Sequence, residues 1–94
     1  MDLAESIINA VGEERFLVSV HARQRLAQRK IALWQIEAGL EEGTILEIRP
    51  DSEPNPSIVV EETLADGTLV TVVWAWLPTN DQAKLVTVFF RDLN

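Results

Sequence analysis

"SIVVEETLADGTLVTVVWAWL", residues 57–77, places two β-rich runs on either side of Asp66-Gly67. An Asp-Gly pair between such runs is a strong hairpin signal, because glycine adopts the positive φ that a tight turn needs. In the second run Val70, Val72, Trp74 and Trp76 share one face, and Leu69, Thr71, Val73, Ala75 and Leu77 share the other. Both faces are apolar, so this strand is expected at the centre of a sheet. One face is expected under helices; the other needs a cover, which a second copy of the chain would supply.

Downstream, "PTND" at residues 78–81 reads as a second turn and "AKLVTVFF" at residues 83–90 as the last strand. Upstream, "TILEI" at residues 44–48 reads as a strand, and "PDSEPNP" at residues 50–56 as a proline-punctuated loop. Before Gly43 the period changes to that of helices. "DLAESIINAVG" has an apolar stripe of Leu3, Ile7 and Val11, with Ala4 and Ile8. Asp2 is placed to cap it, Glu5 completes a capping-box spacing, and Gly12 is the expected stop. "FLVSV", residues 16–20, reads as a short strand. "HARQRLAQRK" reads as a helix capped by Ser19 or His21, with only Ala22, Leu26, Ala27 and Ile31 to feed a core. "ALWQIEAGLEEG" is a further helix, with Leu33, Ile36 and Leu40 on one side. Gly39 within it is worth about 1 kcal/mol less than alanine, which marks a place of close packing.

The order is therefore α-β-α-α-β-β-β-β, an α+β fold with helices packed on one face of a mostly antiparallel twisted sheet. No repeat or linker divides the chain. The 94 residues are read as a single domain, 1–94, with an N-terminal helix in 1–12 and a core in 16–90.

The chain carries a net charge of −7, against a nucleic-acid binder held by bulk electrostatics. Yet between Glu14 and Glu37 there is no acid, while Arg15, Arg23, Arg25, Arg29 and Lys30 all fall there, together with the single histidine, His21. With no cysteine and one histidine, no disulfide framework, thiol chemistry, metal site or cofactor is implied. There is no glycine-rich phosphate loop and no G-x-S-x-G. No apolar run reaches membrane-spanning length, and the acidic N-terminus lacks the charge of a signal peptide. A cytoplasmic protein is the expectation.

The opening of the basic stretch, His21-Ala22, then Arg25-Leu26, then Arg29 and Ile31, resembles the H-A-x-x-R-[ML]-x-x-R-x-I pattern of a family of small bacterial domains of unknown function. That family is similar to the RelE/ParE and BrnT group of toxin-like folds. The resemblance implies helices on a twisted antiparallel sheet, and several members of the wider group cut RNA.

Metal-free RNA cleavage needs a base, an acid and cations for the phosphate. His21 suits proton transfer, and Arg25 and Arg29 suit phosphate binding, each a helical step from the last. Arg91, just after the last strand, is a fourth candidate. Each residue also has a structural role to fill. His21 can cap or pack. Arg25 and Arg29 can pair with Glu37, Glu41 or Glu47 and brace helix to sheet. Arg23, Lys30 and Lys84 can be solvated charges. Trp34, Trp74 and Trp76 can be core residues or, for Trp74 and Trp76, a subunit interface. The chain has no tyrosine, and Phe89 or Phe90 stands where ribonucleases of the wider group often carry one. Phenylalanine moves no proton. The preferred reading is thus a non-catalytic member that binds or regulates a protein, as a homodimer or with an antitoxin-like partner. The alternatives are a metal-independent ribonuclease using His21, Arg25 and Arg29, and a binder of RNA or DNA without cleavage. For the latter, five cations bound the salt slope at about −3 to −5 per log unit.

Overall fold

The structure is a computed structural model, and it describes residues 2–90. Its elements follow the expected order: α1 (Leu3–Gly12), β1 (Phe16–Val18), α2 (Val20–Arg29), α3 (Leu33–Leu40), β2 (Thr44–Arg49), β3 (Ser57–Thr63), β4 (Leu69–Leu77) and β5 (Gln82–Phe89). The fold is α+β. The five strands form one mixed sheet in the order β1-β5-β4-β3-β2, which puts β4 at the centre. β1 runs parallel to β5; the other pairings are antiparallel.

The helices begin as the side chains dictate. Asp2 Oδ1 accepts from the Glu5 N–H at 2.8 Å and starts α1. Ser19, rather than His21, caps α2: its hydroxyl accepts from the Ala22 N–H at 2.9 Å and donates to the Val86 carbonyl at 2.7 Å. Val86 lies in the β5 segment where the register with β4 shifts. One hydroxyl therefore fixes both the helix start and its seat on a bulge.

The helix ends differ from the expectation. Gly12 is the last residue of α1 and not its left-handed stop. Glu14 takes that conformation instead, with φ 64°. The Arg15 N–H returns to the Ala10 carbonyl and the Glu14 N–H to that of Val11, a Schellman motif. α2 ends the same way, with Lys30 at φ 57° and the Ile31 N–H on the Leu26 carbonyl. Here the motif's apolar contact is present too, since Leu26 and Ile31 are both buried. Asp66-Gly67 closes the β3–β4 hairpin: Gly67 has φ 90°, its N–H donates to Leu64 O, and the Leu64 N–H donates to Thr68 O at 2.8 Å.

One core lies between the helices and one face of the sheet. Ala4, Ile7, Ala10 and Val11 of α1, Ala22 and Leu26 of α2, and Ile36 and Leu40 of α3 meet Ile58, Val60, Val70, Val72, Trp74, Ala83, Leu85 and Val88. Ala27, expected to feed the core, is exposed, because it lies on the far side of α2 from Ala22 and Leu26. The opposite sheet face is covered in part by the chain itself. Residues 50–56 turn over it, with the Ser52 hydroxyl bonded to Asn55 O and to the Ser57 hydroxyl, and the Trp76 N–H bonded to Pro56 O. Ser57, Val59, Thr71 and Ala75 on that face are buried without any second copy. Among the described residues no helix is long and apolar enough to cross a membrane.

Candidate functional site: the basic helix

α2 buries Ala22 and Leu26 and leaves the rest of its surface to polar side chains. His21, Arg23, Arg29 and Lys30 are exposed, and Arg25 is half-buried. At 3.6 residues per turn, His21, Arg25 and Arg29 rise along one side of the helix, bordering its buried stripe. Arg23 lies on the opposite border. The guanidinium of Arg29 sits 4.8 Å from the centre of the Phe90 ring, a cation–π contact. Nε of Arg25 is buried without a hydrogen bond among the described residues. Arg91 falls outside the described residues.

The brace expected between these arginines and Glu37, Glu41 or Glu47 does not form. Glu47 pairs with Arg49 at 3.0 Å, two residues along its own strand. That pairing holds the Glu47 carboxyl below its usual range, through the hydrogen bonds that Arg49 donates. Arg15 pairs with Glu13 at 2.9 Å and with Asp81 at 3.2 Å, tying the end of α1 to the β4–β5 turn. Among the described residues, Arg23, Arg25, Arg29 and Lys30 make no ion pair at all. The first turn of α2 also contains no acid. The positive end of the helix dipole therefore meets no carboxylate there and adds to the field of Arg23.

α2 opens at its start on a surface groove of about 620 Å³. Phe16, Leu17, Val18 and Val20 supply apolar lining, Arg23 and Lys84 supply positive charge, and Glu14 adds one acid. Leu17 and Val20 are among the large apolar side chains that remain exposed, Val20 at 73%. His21 lines none of the main grooves of the described surface. It has no hydrogen-bond partner among the described residues, so no second group is seen to orient it for proton transfer. Among those residues no three His, Cys, Asp or Glu side chains gather to hold a metal ion.

Of the two roles open to Trp74, core and interface, the structure fills the first: it is 0% exposed in the chain's own core, where Phe16 packs edge-on at 5.8 Å. Trp76 is half-buried against the same core.

Sequence reading also missed Glu62. It is fully buried under α3, and its Oε2 accepts from Trp74 Nε1 at 3.3 Å. Its Oε1 has no hydrogen-bond partner among the described residues. Burial pushes its carboxyl from 4.5 up to about 8, against the smaller opposing effect of the Trp74 hydrogen bond. Gly39 is the reason that the acid fits: a Cβ there would stand 2.9 Å from Glu62 Oε1. The signal was legible as parity. Ile58, Val60 and Glu62 alternate onto one face of β3, and Gly39 leaves room in the helix above it.

No curated protein and no solved structure gives a significant match to this chain. One family model matches residues 18–90, from the end of β1 to the end of β5, leaving α1 outside. Since that match spans well over half of the sequence, the chain belongs to the DUF4258 family, a domain of unknown function.

Proposed function

We propose that the protein is a non-catalytic binding module that holds an anionic segment of a partner protein against α2. The observation that carries this is the set of unpaired cations: Arg23, Arg25, Arg29 and Lys30 meet no carboxylate among the described residues, in a chain with fifteen acids. Exposed pairs form readily where they stabilise, if only by about 0.2–1 kcal/mol each. Arg15 and Arg49 are paired in this way. Four cations without a carboxylate partner among the described residues, on α2 and at its C-cap, point to an anion outside the chain, although Arg29 also sits over the Phe90 ring.

A protein segment suits the surface better than a phosphate backbone. The groove beside α2 offers Leu17 and Val20 together with Arg23 and Lys84 against the single acid Glu14, a mixture that suits alternating apolar and acidic side chains. Kinship with the RelE/ParE and BrnT toxin-like folds is part of the same proposal, supported by three helices on one face of a sheet with four antiparallel strands. So is a cytoplasmic setting, supported by a chain without cysteine.

The test uses two labelled probes at low salt, a short peptide alternating glutamate with leucine or valine and a short single-stranded RNA. The peptide is expected to bind and the RNA to remain intact. Arg23→Glu with Lys84→Glu should weaken peptide binding by about tenfold, as two attractions become two repulsions. Binding of the RNA alone would move the assignment to a nucleic-acid binder. Metal-independent cleavage of the RNA that His21→Ala abolishes would replace the proposal with the ribonuclease reading.

A further inference from the structure

β2 ends the sheet beyond β3, and all six of its residues are exposed. Ile45, Leu46 and Ile48 are three of the large apolar side chains left on the surface, Ile48 at 53%. Single exposed apolar residues are ordinary, but three within four positions on an open strand edge form a template for another strand. The strand has no net charge to repel a second copy, since Glu47 and Arg49 neutralise each other.

The direction of its free backbone groups follows from the neighbouring ladder. Leu64 N–H donates to Thr68 O, and Trp76 N–H donates to Pro56 O. The even-numbered residues of β3 therefore exchange hydrogen bonds with β4, and Ser57, Val59 and Glu61 turn toward β2. Glu47 stands opposite Val59 and Arg49 opposite Ser57, so those two bond to β3. Ile48 stands opposite Ile58, and its N–H and C=O point out of the sheet edge.

We propose that β2 pairs antiparallel with β2 of a second copy about a two-fold axis at Ile48, joining two five-stranded sheets into one. The outward N–H and C=O of Ile48 meet those of Ile48 in the second copy as a doubly hydrogen-bonded pair. On either side Glu47 opposes Arg49 of the second copy. These are non-hydrogen-bonded positions, where facing side chains come closest, so two ion pairs form across the axis. The axis positions next to Ile48 are disfavoured by the same groups. An axis at Glu47 sets two carboxylates against each other and presents backbone groups already bonded to β3. An axis at Leu46 falls on the bulge where the β2–β3 register shifts. The Ile48 side chains lie on the helix side of the sheet but beyond the helices, and each covers the other.

The experiment is sedimentation of the full chain over a range of concentrations, with circular dichroism to confirm folding. The wild type is expected to dimerise, and Ile48→Lys to stay monomeric. Glu47→Arg alone and Arg49→Glu alone should each weaken the dimer about tenfold or more, because like charges then face each other twice. The double variant Glu47→Arg with Arg49→Glu restores opposite charges and should return to within about threefold of wild type. A wild type that stays monomeric up to millimolar concentration overturns the proposal. So does a dimer indifferent to Ile48→Lys, or a double variant as weak as the singles. None of these residues lies on α2, so dimer formation and peptide binding fail or succeed separately.

Discussion

Glu62 gives stability a pH dependence of definite sign. Its carboxyl lies at about 8 in the fold against 4.5 when unperturbed. Below the lower value the acid is neutral in both folded and unfolded chains, and nothing is lost. As pH rises from there, the unfolded chain releases a proton that the folded chain keeps, so stability falls until the higher value is passed. At 1.36 kcal/mol per pH unit, the contribution lost between about pH 5 and pH 8 is roughly 3 kcal/mol. That is a large part of the stability of a chain this small. Glu62→Gln removes the titration while leaving an oxygen to accept from Trp74. The measurement is urea unfolding of wild type and variant at several pH values, followed by tryptophan fluorescence. Subtracting one from the other cancels Glu37, whose carboxyl is also raised, first by burial and then by Glu14, and Asp2 and Asp66, which backbone N–H groups hold low. The variant's advantage should grow by roughly 3 kcal/mol across that range. A difference that stays constant to within about 0.5 kcal/mol would mean that Glu62 is not a desolvated acid in the folded protein, and the reasoning would fall.

Gly39→Ala should destabilise the wild type by about 1–2 kcal/mol through its clash with Glu62 Oε1; in a Glu62→Ala background the same change should be neutral or stabilising by up to about 1 kcal/mol, since only helix propensity remains. A chemical-denaturation double-mutant cycle reads the coupling. Glu14→Gly and Lys30→Gly should each raise stability by about 0.5–1 kcal/mol, because both residues hold left-handed backbone at a helix end; a loss on either substitution counts against the Schellman assignment. Ser19→Ala should lower stability by about 1–2 kcal/mol as the α2 cap and the bond to Val86 O disappear together, and a thermal melt within about 1 °C of wild type would contradict that.

Where a residue's local chemistry fixed its conformation, the fold was readable in advance. Asp66-Gly67 signalled the hairpin, Asp2 capped α1 with Glu5, and the doubly apolar run of β4 named the central strand. Local chemistry failed where tertiary contacts decide. α1 does end at Gly12, but the left-handed residue that closes it is Glu14, a placement that the glycine alone did not reveal. Trp74 and Trp76 share one face of β4 and were indistinguishable by pattern, yet Trp74 is fully buried and Trp76, near the strand's end, only half-buried. Glu62 reads as a solvated strand acid beside Glu61 until Gly39 is set above it. The basic helix was visible as a charge run, but whether its arginines met Glu37, Glu41 or Glu47 depended on distances that spacing does not give.

The most direct measurement is a ¹H–¹⁵N spectrum of the folded protein titrated with the acidic, apolar peptide. Shifts should gather on β1, Val20, Arg23 and Lys84, weaken as salt is added, and leave β2 untouched. Shifts scattered over the surface, or confined to elements away from α2, would contradict a role for the groove beside α2 in holding a partner.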